Sequence, residues 1–373
     1  MSSNKMPALR IGDWETDIPI VQGGMGVGIS LSGLASAVAN AGGIGVIATA
    51  GIGQFEPDCY RNPKEADRRA LQKEIQKTKA KTDGIIGVNI MVALSDFDSL
   101  VQCAVEEEAN LLFLGAGLPI RLPDSLPLDK LGKLPTKFVP IVSSAKAVKI
   151  IFRSWAKQFN HIPDAVVVEG PLAGGHLGFK REHIDNPDYS LEKILPEVIT
   201  AIKPFEEQFN RNIPVIAAGG IYTGADIYKF MQLGAQGVQM ATRFVATHEC
   251  DASQEFKDAY LNCKKEDIVI IDSPVGLPGR ALRNEFLERV SSGIKETFVC
   301  PWKCLRSCDF KNVPYCIALA LTNAKKGNMD KGFAFVGANA YRVDKIISVK
   351  ELIETLTEEY ESSKRQAAHL VQR

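Results

Sequence analysis

The sequence predicts an α/β protein built on a closed TIM (β/α)8 barrel, with an additional mainly helical segment over the barrel mouth. Three observations predict it. Eight short apolar runs alternate with helical segments through the first two thirds of the 373 residues. The runs are apolar almost throughout instead of alternating, as strands buried on both faces must be. The rival, an open doubly wound sheet, lacks its dinucleotide fingerprint. Read from Gly24-Met25-Gly26, the third glycine of G-x-G-x-x-G would fall at Ile29; read from Gly26-Val27-Gly28, at Leu31.

The predicted strands are 19–22, 44–47, 86–91, 111–114, 138–142, 165–169, 214–218 and 237–240. The predicted helices are 32–40, 63–81, 98–110, 144–159, 191–210 and 225–233. After Met240 the pattern changes. Residues 249–300 read as helical, broken by the apolar run 268–271 and the turn Ser273-Pro-Val-Gly-Leu-Pro-Gly279. Residues 327–342 form a glycine-rich loop, and 348–368 a charged amphipathic helix. The expected organisation is a barrel over 1–248, a mainly helical lid over 249–340, and a C-terminal helix over 341–373 that returns to the barrel wall. The charged helices at 63–81 and 350–366 read as solvated faces with i, i+4 pairs, a homodimer contact being the alternative.

Composition bounds the function. Lys+Arg and Asp+Glu both number 44, a zero balance that argues against a broad nucleic-acid or membrane-surface footprint. No apolar run approaches the ~18 residues of a membrane span. The start, MSSNKMPALRIGDWETD, lacks the apolar core of a secretory signal. Eight cysteines are too few for a disulfide scaffold, so reduced thiols in a cytoplasm are the expectation.

Four stretches carry chemistry. Pro214-Val-Ile-Ala-Ala-Gly-Gly-Ile221 ends a strand in two glycines before a helix, and Gly234-Ala-Gln-Gly-Val-Gln-Met-Ala-Thr-Arg243 repeats the design one unit later. Loops after barrel strands seven and eight frequently bind phosphate, because glycines let backbone N–H groups approach an anion and helix N-termini favour negative charge. Val166-Val-Val-Glu-Gly-Pro-Leu-Ala-Gly-Gly-His-Leu-Gly178 sets His176 in a glycine-rich loop at the catalytic face, where an imidazole can exchange a proton near neutral pH. In Pro19-Ile-Val-Gln-Gly-Gly-Met-Gly-Val-Gly28, Gln22 is expected to reach a ligand amide edge and Met25 to cover a flat ring. Asn89, at the end of Gly87-Val-Asn-Ile-Met91, is a buried amide in need of a partner.

Together these motifs resemble the 2-nitropropane dioxygenase family: QGGMG at 22–26, GVNIM at 87–91, AGGHLG at 173–178, PVIAAGGI at 214–221 and GAQGVQMATRF at 234–244. That family includes nitronate monooxygenases and the flavin-dependent enoyl-acyl-carrier-protein reductase II. The resemblance runs over residues ~8–280 and implies a TIM barrel that binds FMN. It implies that Gly23, Gly24 and Met25 lie by the flavin ring, that Asn89 reaches the cofactor, and that Glu169 and Gly170 sit beside it. Gly175 would be a backbone contact, and Gly219, Gly220, Ala241 and Thr242 would hold the phosphate. Gln22, Ala218, Gln239 and Met240, in the same motifs, complete the expected cofactor set, and His176 is the implied catalytic residue. The substrate would be an alkyl nitronate oxidised with oxygen to a carbonyl compound and nitrite. An enoyl thioester reduced with NAD(P)H is the alternative, and a non-redox phosphate-binding barrel the alternative of another class. Gly279-Arg280 offers either a cation at the mouth or a solvated arginine.

Half the cysteines fall in Cys300-Pro-Trp-Lys-Cys304-Leu-Arg-Ser-Cys308 and Cys316. The C-x3-C-x3-C-x7-C spacing matches neither the common zinc patterns nor a ferredoxin run. Thiols four residues apart also describe one face of a helix, so these read as structural thiols and no metal is assigned, with zinc or an iron–sulfur cluster the alternative.

Overall fold

The computed structural model describes residues 6–300 and 302–371. Pro301, inside the cysteine run, and the two chain ends of the expected outer divisions lie outside the described residues. Eight parallel strands form the barrel: β1 (Ile20–Gln22), β2 (Gly45–Ala48), β3 (Ile86–Met91), β4 (Leu111–Gly115), β5 (Lys137–Val142), β6 (Val166–Glu169), β7 (Val215–Ala218) and β8 (Gly237–Met240). The order around the sheet is β1-β8-β7-β6-β5-β4-β3-β2. The seam closes through a parallel bridge between Val21 and Ile44. There Gln22 N–H donates to Ile44 O and Ile44 N–H to Ile20 O, both at 2.9 Å. All eight predicted strands form within one residue of their expected bounds.

Double burial explains why these strands lack alternation. Val21, Val46, Phe113, Val139, Val167 and Ile216 pack together in one cluster with Leu9 and Ile11. Their strand neighbours Ile20, Ile47, Leu112, Leu114, Val166 and Val215 pack in a second cluster that includes the helices. Gly87 leaves the space that Phe113 fills: a Cβ there would stand 2.6 Å from the Phe113 ring.

The helices are α1 (Ser32–Asn40), α2 (Pro63–Lys79), α3 (Phe97–Glu106), α4 (Ala145–Phe159), α5 (Leu191–Phe209) and α6 (Gly224–Gln232). Helix α3 stops short of the expected Asn110. Glu108 adopts a left-handed φ of 51°, and Ala109 N–H returns to Ala104 O, a cap that ends the helix. In α4 the buried stripe Val148, Ile151, Phe152 and Trp155 faces the barrel. Trp155 donates its Nε1–H to Pro119 O at 2.7 Å and meets Phe138 and Phe159 edge-on.

Beyond β8 come α7 (Thr242–Val245), α8 (Gln254–Leu261), α9 (Glu285–Ser291), α10 (Ile317–Lys325) and α11 (Val349–Val371). The region 249–340 is not purely helical. Ile268–Asp272 and Pro278–Leu282 form an antiparallel hairpin. The hairpin pairs with the short strand Gly175–His176 from the loop after β6. Helix α11 packs on α6 through Leu352, Leu356 and Tyr360, with Tyr228 edge-on to Tyr360. No helix is long and apolar enough to cross a membrane among the described residues.

Trp155→Ala removes a large, fully buried ring and orphans the Pro119 carbonyl. Denaturant titration is expected to show a loss of about 3–5 kcal/mol, with the strand content of the folded chain unchanged.

Candidate active site

A cavity of about 320 Å³ opens at the C-terminal ends of the strands. Most of the residues singled out from the sequence meet there. Gly23, Gly24 and Met25 enter from the loop after β1, Glu169 from the end of β6, and Gly175 and His176 from the loop that follows. Ala218, Gly219 and Gly220 enter from β7, and Gln239, Met240, Ala241 and Thr242 from β8.

Three residues of the expected cofactor set do not line the cavity. Gln22 is fully buried: its Oε1 accepts from Val46 N–H at 2.9 Å and its Nε2 donates to Gly23 O at 2.5 Å. Its amide therefore staples β1 to β2, away from the cavity wall where a ligand contact was expected. Gly170 gives its N–H to Ala218 O at 2.8 Å and serves the wall behind the cavity. Asn89 stands behind Gly24, where a Cβ would come within 2.4 Å of Asn89 Cβ, and its Nδ2 points to Phe113 O at 3.4 Å.

The glycine pair after β7 is dictated by geometry. Gly219 and Gly220 have φ of 93° and 85°, a region that L side chains avoid. A Cβ on Gly219 would stand 2.8 Å from Gly170 O, and one on Gly220 would stand 2.9 Å from Leu172 Cβ. The N-terminus of α6, expected to assist anion binding, is already committed. Tyr222 and Thr223 give their N–H groups to Asp226 Oδ2, and Gly224 gives its own to Glu359 Oε2 at 2.6 Å. The amides left lining the cavity are those of the Gly219–Ile221 loop and of Ala241 and Thr242.

His176 Nε2 lies 2.7 Å from Ser273 Oγ. Ser273 Oγ also accepts from Val275 N–H at 3.5 Å. Its own hydrogen is thus available to Nε2, a pairing that favours the Nδ1–H tautomer. The imidazole meets Phe335 edge-on at 5.0 Å. Burial holds it well below its ordinary range, at about 4. Burial pushes the Glu169 carboxyl the other way, up to about 7. Both shifts have one cause: the cavity disfavours charge.

The sequence did not single out several wall residues. Phe335, Val336 and Gly337 line the cavity from the glycine-rich loop. Gly174 packs so closely that a Cβ would meet Val336 C at 2.7 Å and Gly337 N at 2.8 Å. Tyr260 donates to Phe335 O at 2.6 Å, and Asn339 to Gly220 O at 2.7 Å. Gly337 and Asn339 within the glycine-rich loop were the available signal. Arg280 is neither at the mouth nor solvated. It is 5% exposed and its Nη1 donates to Pro171 O and Ala173 O, both at 2.6 Å.

Comparison with known proteins agrees with this fold. The family model described as nitronate monooxygenase matches residues 10–359, well past the expected limit near 280. A Mycobacterium tuberculosis protein named (3aS,4S,5R,7aS)-5-hydroxy-7a-methyl-1-oxo-octahydro-1H-indene-4-carboxyl-CoA dehydrogenase is 30% identical over 275 residues, covering 74% of this chain. The match spans 66% of that relative, slightly under two thirds of its length. A probable nitronate monooxygenase of Staphylococcus saprophyticus is 27% identical, covering 73% of this chain and 78% of its own. The solved structure of FabK from Thermotoga maritima superposes with a TM-score of 0.72 at 28% identity, covering 95% of this chain and 96% of that one. A nitroalkane oxidase from Streptomyces ansochromogenes shares the fold with a TM-score of 0.72 at 22% identity, covering 94% and 98%. The chain belongs to the nitronate monooxygenase family of flavin-dependent oxidoreductases.

Proposed function

We propose that the chain is an FMN-dependent nitronate monooxygenase that oxidises alkyl nitronates with oxygen to a carbonyl compound and nitrite. The observation that carries this reading is that the amides after β7 and β8 line the same cavity as a buried neutral imidazole. The residues present fit a mononucleotide flavin. Gly219 and Gly220 form a cradle that a Cβ would fill, and the G-x-G-x-x-G of a dinucleotide site is missing from the first strand turn.

In this reading Gly219, Gly220, Ala241 and Thr242 hold the phosphate through backbone N–H groups. Gly23, Gly24, Met25, Glu169, Gly175, Ala218, Gln239 and Met240 would line the space for the ring. Bound FMN supplies the electron acceptor, and the protein orients it and excludes water. The region 249–340 acts as the lid. A nitronate arrives without its α-proton, so the site needs a hydrogen-bond donor more than a base. His176, neutral around pH 7, supplies that donor at Nδ1, held in place by Ser273 at Nε2. A neutral nitroalkane would instead require His176 to abstract the α-proton, which its low pKa disfavours.

A second reading, NAD(P)H-dependent reduction of an enoyl thioester, is favoured by the acyl-CoA name of the M. tuberculosis relative. The apolar wall of Leu94, Leu305, Ile317 and Leu321 also suits an acyl chain. Spectra of the purified protein separate the two. Yellow protein whose flavin responds to nitronate, with nitrite released in air, supports the monooxygenase. Anaerobic bleaching by NADH with no response to nitronate supports the reductase. Colourless protein that takes up no FMN overturns both.

His176→Asn is expected to retain flavin and to lower kcat/KM by about 10²–10⁴-fold. Unchanged turnover removes the histidine from the mechanism.

Glu169 gives a pH prediction. Its folded pKa of about 7 lies above its ordinary value of 4.5, so the folded state binds the proton more tightly than the unfolded chain. The resulting stability is present below the ordinary carboxylate range and is lost as pH rises through about 7. Glu169→Gln abolishes that loss. Flavin-free protein carrying this substitution is expected to melt higher than the parent at about pH 8, and equal melting at that pH contradicts the assignment.

A further inference from the structure

Four of the chain's eight cysteines occupy residues 300–316, and the structure gathers them. Cys300, Cys304, Cys308 and Cys316 all line a second cavity of about 290 Å³. The other four behave differently: Cys59, Cys103, Cys250 and Cys263 are buried and line neither this cavity nor the one at the barrel mouth.

The run is not a helix, so its spacing is not that of thiols along one helix face. From 302 to 308 the chain forms turns and a short bridge. Leu305 bridges Leu94, Cys304 O accepts from Ser95 N–H, and Arg306 N–H donates to Ala93 O, both at 3.0 Å. These bonds strap the run to the loop after β3. Phe298, Phe310, Leu305 and Ile317 make the cavity apolar, and Lys303 and Arg306 bring positive charge; no carboxylate lines it.

We propose that Cys300, Cys304, Cys308 and Cys316 hold an iron–sulfur cluster. Four thiolates around a cluster carry net negative charge, which the two basic residues and the lack of carboxylates in the cavity wall suit. All four thiols line the same cavity. Among the described residues no three potential ligands stand together as a single ion requires. A cluster places each thiolate on a different iron, so it needs ligands spread around a cavity, whereas zinc draws four to one tetrahedral centre. Cys304, Leu305 and Ile317 line both cavities, so the cluster stands one wall from the candidate active site.

The test is made on the full chain, purified without air from iron-replete cells, by assaying iron, zinc and acid-labile sulfide. The expected result is about four irons and four sulfides per chain. Cys308→Ala and Cys316→Ala are expected to lose most of both while retaining bound flavin, and Cys263→Ala to keep all. If a variant fails to fold, the parent chain treated with ferrous iron and sulfide gives the same answer through its sulfide content. One zinc per chain without sulfide overturns the proposal, as does a parent chain that holds neither iron nor sulfide after that treatment. Sulfide content is independent of flavin content, so this result and that of the flavin reading fail separately.

Discussion

The site depends on how closely three backbones approach one another at the barrel mouth. The loop after β6 touches the loop after β7 at Gly219, and touches the 336–337 segment at Gly174. At both places an added methyl group would overlap backbone atoms, which cannot swing aside as a flexible side chain does. The contacts therefore fix the relative height of three loops that the sheet itself leaves free. Asn339 ties the 336–339 segment to Gly220 O, and Arg280 ties the hairpin to Pro171 O and Ala173 O. A buried guanidinium with close carbonyl acceptors is costly to remove singly, so Arg280 locks the loop that carries His176.

His176 is thus held by the outer layer as much as by the barrel. Its backbone pairs with Gly279 and its ring bonds Ser273, both in the hairpin region. The environment that results is poor in charge, and it acts oppositely on the two titratable groups: Glu169 is driven toward its acid form and His176 toward its base form. Both are neutral in the same slightly acid window. A cavity with no fixed charge of its own is suited to a cofactor that brings one.

The barrel was legible because double burial writes itself into sequence as continuous apolar runs, and eight such runs left little choice of architecture. The strand-end glycines were legible because positive φ and close approach leave few other residues possible. Gln22 shows where the sequence stops: a polar residue at a strand end signals a partner, but sequence does not say whether that partner is a ligand or the neighbouring strand, here Val46. Ser273 and Phe335 were not legible at all. Their place at the site comes from contacts between segments about 100 to 160 residues apart, for which local periodicity carries no signal.

The C-terminal helix explains why anion binding falls to loop amides and not to the start of α6. Gly224 lies so near α11 that a Cβ would stand 2.2 Å from Leu356 O, and Glu359 reaches across to cap its N–H. Asp226 caps the N–H groups of Tyr222 and Thr223. Two carboxylates at one helix N-terminus complement its dipole and by the same token repel a phosphate there. The donors free of this opposition are those nearer the barrel axis, in the Gly219–Ile221 loop and at the start of α7. Fixing α11 against the barrel wall thus moves the proposed phosphate position inward, toward Gly23 and the ring of strand ends, where the histidine also stands.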